Sequence, residues 1–146
     1  MITSVTTDNP KSLSHRNDHD WCLVCGESNP WSAKLEFQAD DNGVVSASFQ
    51  SHRYLQGYKG IMHGGVIAAL LDAAMTHCLF YHNVQGLTCN LQVRFVHSVP
   101  CDARLDIRAH IVNTTPRLFR LKAELLSEKR VAAWAEGKFL RRQDST

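Results

Sequence analysis

Hydrophobic and polar residues alternate with a period of two along most of the chain after Lys34, a period that puts every second side chain on one face of a strand. Leu35, Phe37 and Ala39 alternate with Glu36 and Gln38, and Val45, Ala47 and Phe49 alternate with Ser46 and Ser48. Between the two runs lies Asp40-Asp41-Asn42-Gly43, whose Asn-Gly pair tolerates the positive φ angles of a tight turn. The pattern predicts a hairpin with one wet face. Further on, Leu87, Cys89, Leu91, Val93 and Phe95 alternate with Thr88, Asn90, Gln92 and Arg94. Cys101, Ala103, Leu105, Ile107, Ala109 and Ile111 alternate with Asp102, Arg104, Asp106, Arg108 and His110, and Phe119, Leu121, Ala123 and Leu125 with Arg120, Lys122 and Glu124. After a Ser127–Arg130 turn, a weaker alternation runs from Val131 to Leu140.

One segment breaks this period. Val66 to Phe80 is rich in Ala, Leu and Met, lacks Pro and Gly, and is polar only at Asp72, Thr76 and His77. Such a composition predicts a helix, and a helix apolar nearly all round must be buried on most sides. The element order is therefore β-β-α-β-β-β-β, with connections short enough to imply antiparallel pairing. A sheet of six strands curled around one central helix, an α+β architecture, satisfies every pattern.

The length of 146 residues fits one domain with a real core and excludes a TIM barrel or a protein kinase. Residues 1–20 are polar and aperiodic, and read as a flexible arm ahead of a single domain spanning 21–146. With 16 Lys+Arg against 14 Asp+Glu and no basic run longer than Arg141-Arg142, no nucleic-acid partner is expected. The first residues lack the pattern of a signal peptide, and the longest apolar run, Val66–Leu71, is far below the ~20 residues of a membrane span. A cytoplasmic protein without membrane contact is expected. Its five cysteines, Cys22, Cys25, Cys78, Cys89 and Cys101, then read as reduced thiols, buried where the pattern is apolar, rather than a disulfide framework.

Candidate chemistry gathers at the helix. His63-Gly64-Gly65 opens it, and two glycines leave backbone N–H groups uncovered at the positive end of the helix dipole. That turn reads either as an oxyanion hole or as a sharp bend under a neighbouring strand. Asp72 puts a carboxylate amid apolar residues, which is costly unless the group is paired or functional. Gly64 and Asp72 lie about 12 Å apart along a helix axis at ~1.5 Å per residue, so one carbonyl cannot touch both. If both are catalytic, the protein is at least a dimer, with Gly64 of one subunit facing Asp72 of the other across a twofold axis. Cys22-x-x-Cys25 has the spacing of half a zinc site, with His15 and His19 upstream, but no second pair follows, and no metal is expected. His77 and His82, near the helix C-terminus, are expected to complement its dipole. Arg94, Arg117, Arg120, Lys122, Arg141 and Arg142 belong to solvated strand faces, or in part to a phosphate site.

Met62-His63-Gly64-Gly65-Val66 followed by Asp72 resembles the signature of hotdog-fold acyl-CoA thioesterases of the phenylacetate-pathway (PaaI-like) type. Gln56-Gly57-Tyr58-Lys59-Gly60-Ile61-Met62 resembles their pre-helix loop, and Leu87-Thr88-Cys89-Asn90-Leu91 with Arg94-Phe95 and Val99-Pro100 their post-helix strand. Cys22-Leu23-Val24-Cys25-Gly26 with Asn29-Pro30 is similar to the lead-in of one subgroup, so the likeness covers about residues 21–142. The resemblance implies a hotdog fold and hydrolysis of an acyl-CoA substrate by a homodimer, paired further as a dimer of dimers. No cofactor is implied, since coenzyme A is part of the substrate. Gly64 N–H would polarise the carbonyl, Asp72 would act as general base or nucleophile, and Thr88 would orient the water. Against this, strand alternation places Thr88 on the polar face, opposite Leu87 and Cys89. His63 would be a further catalytic residue or would simply hold the turn by hydrogen bonding, and Gly65, Gln56 and Asn90 would bind substrate. A non-catalytic acyl-CoA sensor and a hotdog dehydratase or hydratase remain as alternatives.

Overall fold

The computed structural model describes residues 18–143; residues 1–17 of the expected arm, His15 among them, and residues 144–146 lie outside these. The elements are β1 (Gln38–Ala39), β2 (Val45–Gln50), α1 (Gly64–Tyr81), β3 (Gly86–Phe95), β4 (Arg104–Thr114), β5 (Leu118–Ser127) and β6 (Arg130–Arg141), with one short 3-10 turn at Arg53–Leu55. All pairings are antiparallel, and the strand order is β1-β2-β4-β5-β6-β3. Strands β2 to β6 all pack against α1. This is the sheet around one helix expected from the order of the patterned segments, and the hotdog fold that the resemblance implied.

Helix and sheet share one core. Leu71, Met75 and Leu79 of α1 lie fully buried with Leu105 and Ile107 of β4, Leu121 and Leu125 of β5 and Phe139 of β6. By length and hydropathy alone α1 would pass for a membrane span, but here the sheet takes up its apolar surface. Truncating Leu71 to Ala leaves a cavity that close-packed neighbours fill only partly, so the expected loss is about 3 kcal/mol. A denaturant midpoint that stays put would contradict this packing.

The weak alternation of β6 has two physical causes. Leu125 pairs with Ala133 and Leu126 with Val131, so the ladder slips at Ala132, and Ala132 and Ala133 are both buried. Where α1 passes closest, the strand carries only small inward residues. A Cβ on Gly137 would come 2.6 Å from the Phe139 ring and 2.9 Å from Met75 Sδ.

The turns depart from expectation in detail. Of the Asn-Gly pair only Gly43 takes a positive φ (+77°). Asp40 Oδ1 accepts the N–H groups of Asn42 (2.8 Å) and Val44 (3.0 Å), so an aspartate-capped turn with one left-handed glycine replaces the two-residue mirror-image turn. That type of turn instead joins β5 to β6, where Glu128 and Lys129 both take positive φ (51° and 63°). Leu35 and Phe37 are buried as expected but precede the two-residue β1. Likewise Cys101 is buried in a turn ahead of β4 rather than in the strand.

The largest departure is in β3. Thr88 pairs with Phe139, but Asn90 pairs with Lys138, so Cys89 is the extra residue of a bulge. Across the bulge the side-chain phase inverts. Gly86 and Thr88 share the inward face of Phe139, whereas beyond it Leu91, Val93 and Phe95 pair with the inward Gly137, Ala135 and Ala133. The single face read from Leu87 to Phe95 is thus two half-faces, and the buried position expected for Cys89 is in fact exposed.

Candidate active site

Helix α1 starts at Gly64, with His63 as its N-cap in an extended conformation (φ −63°, ψ 131°). The first four N–H groups of a helix have no partner within it. Here His63 N donates to Leu55 O (2.8 Å) and Val66 N to His63 O (3.1 Å), while Gly65 N donates to His63 Nδ1 (2.8 Å). Gly64 N–H alone among the four has no acceptor among the described residues. His63 therefore holds the turn through its ring and its carbonyl, and Gly65 N–H is already engaged. Beside Gly64 opens a cavity of about 350 Å³ lined by Gly57, Tyr58, Ile61, Met62, His63 and Gly64. The Phe95 ring lies over Gly64, close enough to touch an added Cβ at 3.4 Å.

Two helical turns on, Thr88 Oγ1 donates to Asp72 Oδ1 at 2.6 Å. Thr88 does not lie on the polar face that unbroken alternation predicts, because the bulge at Cys89 turns it toward the helix. Burial pushes the Asp72 carboxyl above the ordinary range of aspartates, and the Thr88 hydrogen bond pulls it part of the way back. The charges of Cys22 and His19 also reach it, the first raising and the second lowering its pKa. A half-buried carboxylate fixed through one oxygen has its other oxygen free for a proton.

The remaining candidates lie apart from this pair. Gln56 Oε1 accepts Gly60 N–H (3.1 Å) and so closes the pre-helix loop. Asn90 shares the outer face of the sheet with Lys138, in a shallow cavity that includes Gln92, Arg120 and Lys122. The sheet therefore stands between Asn90 and Asp72. Gly64 and Asp72, on one helix, remain separated as their spacing required.

The dipole role expected of His77 fails. Its ring stacks on Phe37 (centroids 4.4 Å, 22°) and meets Phe80 edge-on, it is only 6% exposed, and burial pushes its pKa down to about 4. It is neutral at pH 7. The group that sequence reasoning underrated is His19-x-x-Cys22-x-x-Cys25, which folds onto α1 next to His77. The spacing was legible, but the proximity to Asp72 was not. Within this group Cys22 is drawn down to about 3, chiefly by the Cys25 hydrogen bond, against its burial and with help from His19 and the backbone.

The model of the thioesterase superfamily matches residues 59–133, just over half of the chain, and takes in α1, Thr88 and Phe95. Acyl-coenzyme A thioesterase THEM4 of Bos taurus is 29% identical over 107 residues, 72% of this chain and 44% of that protein. The chain thus spans under half the length of the curated relatives it matches. Among solved structures, the thioesterase superfamily protein RHA08564 superposes with a TM-score of 0.77 at 23% identity, over 81% of this chain and 62% of that one. A hypothetical thioesterase from Streptococcus pneumoniae TIGR4, crystallised with coenzyme A, gives 0.70 at 16% identity over 77% and 91%. With a family model matched over half of its length, the chain belongs to the thioesterase superfamily.

Proposed function

We propose that this chain is an acyl-CoA thioesterase, with Asp72 as the general base and Gly64 N–H as the oxyanion donor. The observation that carries the reading is the Thr88–Asp72 hydrogen bond, which holds a half-buried carboxylate in one orientation. In the Streptococcus pneumoniae protein, structures exist of an aspartate-to-alanine and a threonine-to-alanine variant, and the two replaced residues stand as far apart in sequence as Asp72 and Thr88. Asp72 takes a proton from water as the oxygen attacks the thioester carbonyl, and the oxyanion is received by the partner subunit's Gly64. Collapse expels the coenzyme A thiolate, which takes up the proton. The cavity beside Gly64 is where the thioester approaches.

Two observations support the shared site. Strand β3 is the long free edge of the sheet, and a free edge invites a second strand. Its Leu91 and Phe95, on the face turned toward α1, are 36% and 53% exposed, an apolar surface that a second copy would cover. Light scattering on the eluting protein is expected to give a dimer or larger, whereas a stable, active monomer would leave Gly64 and Asp72 in separate sites and overturn the mechanism. Thr88 is a positioning residue in this reading. Thr88→Val removes the bond that lowers the Asp72 pKa, so the acid limb of kcat/KM should move to higher pH and activity fall. An unmoved limb would mean that Thr88 does not act through Asp72.

The test of the function is release of coenzyme A from short, medium, long and aromatic acyl-CoAs, followed at the thioester absorbance. Tight binding without turnover would replace the reading with that of a sensor.

A further inference from the structure

We infer that His19, Cys22 and Cys25 form a metal site that takes Zn²⁺ and fixes the fold of the segment ahead of β1. The three ligand atoms all lie within 4.8 Å of one another. His19 Nδ1 and Cys25 Sγ are 3.5 Å apart. That separation matches the edge of a tetrahedron, about 3.5 Å for Zn–S of ~2.3 Å and Zn–N of ~2.0–2.1 Å. Two thiolates and one imidazole are a soft donor set that favours zinc over magnesium or calcium.

The backbone is built to hold those donors. Val24 N donates to Cys22 Sγ (3.4 Å), which offsets thiolate charge. Gly26 N donates to Cys22 O and Ser28 N to Asp20 O (2.9 and 3.0 Å), which folds Asp20–Ser28 into a knuckle. At Gly26 a Cβ would fall 2.5 Å from Asp20 O and 2.6 Å from Cys22 N and O, so the knuckle requires glycine there. Asn29 closes its far side, donating to Trp21 O (3.2 Å) and accepting from Trp31 N (2.9 Å). The His19 ring is held edge-on against Phe80 at 4.8 Å, which fixes the imidazole without using Nδ1. Cys25 is buried and Cys22 half-buried, which keeps the two thiols out of bulk solvent.

Binding displaces the remaining thiol protons to solvent; among the described residues three donors are offered, and the fourth position of the tetrahedron stays open to a water or a further ligand. The site would lock the His19–Cys25 stretch into one fold, with the His19 ring against Phe80 of α1, in a part of the chain where the hydrogen-bonded sheet has not yet begun. It stands independently of the acyl-CoA reading.

The test uses tag-free, reduced protein. Elemental analysis after purification without chelator should find one zinc per chain. Metal-free protein titrated with Co²⁺ should develop thiolate-to-cobalt charge transfer and the visible bands of a tetrahedral ion, both abolished by one equivalent of Zn²⁺. Cys22→Ser with Cys25→Ser, and separately His19→Ala, should lose the stoichiometric site, while Cys89→Ser keeps it. If the serine variant fails to fold, the wild-type protein still decides, because Zn²⁺ should protect Cys22 and Cys25, but not Cys89, from alkylation in peptide mapping. Absence of Co²⁺ binding, bands that survive in the double serine variant, or a Cys22–Cys25 disulfide in freshly purified protein would each overturn the site.

Discussion

Asp72→Asn is expected to reduce acyl-CoA hydrolysis at least ~100-fold, the usual scale for removing a general base, while acyl-CoA binding and the fold persist. The amide oxygen still accepts the Thr88 hydroxyl bonded at 2.6 Å, so the geometry is kept and only the base is lost. The same substitution tests the electrostatics. Burial raises the folded-state pKa of Asp72 above its ordinary value, so its contribution to stability is present below the unfolded-state pKa and lost as pH rises through the folded-state one. Neutral Asn escapes that loss. The variant should therefore melt no lower than wild type at neutral pH, and its relative advantage should disappear in acid. Near-normal turnover would remove Asp72 from the mechanism, and a melting point well below wild type at neutral pH would show the carboxylate to be structural.

Gly64→Pro should cost about 100- to 1,000-fold in kcat, the scale for deleting one oxyanion donor, and leave the helix intact. Proline at the first helical position removes an N–H that the helix does not use, and its φ suits that position. His63 is already extended at ψ 131°, the conformation that a following proline demands. An added Cβ at Gly64 meets the Phe95 ring at an ordinary 3.4 Å. With the circular dichroism spectrum unchanged, loss of turnover places the Gly64 nitrogen, where the proline Cδ would sit, at the reacting centre. Unchanged turnover would reduce the glycines to a turn under a neighbouring strand.

These two experiments address residues that stand out in the sequence for a local reason. An Asp amid Leu and Ala, and a His-Gly-Gly ahead of an apolar run, are anomalies within one turn of helix. Period and composition likewise carried the element order, the antiparallel sheet around α1 and most of the core, because side-chain direction in a strand or helix repeats locally.

Tertiary structure decided whatever depended on partners distant in sequence. Thr88 looked solvent-facing because alternation assumes an unbroken strand, and the bulge at Cys89 appears only when β3 is paired with β6. His77 looked like a cation at a helix end until Phe37 and Phe80 closed over it. His19 read as part of an arm, yet its ring rests on α1 and its charge reaches Asp72. A local pattern says which side chains want burial, whereas register and contact, set by the whole sheet, determine which chemical groups meet.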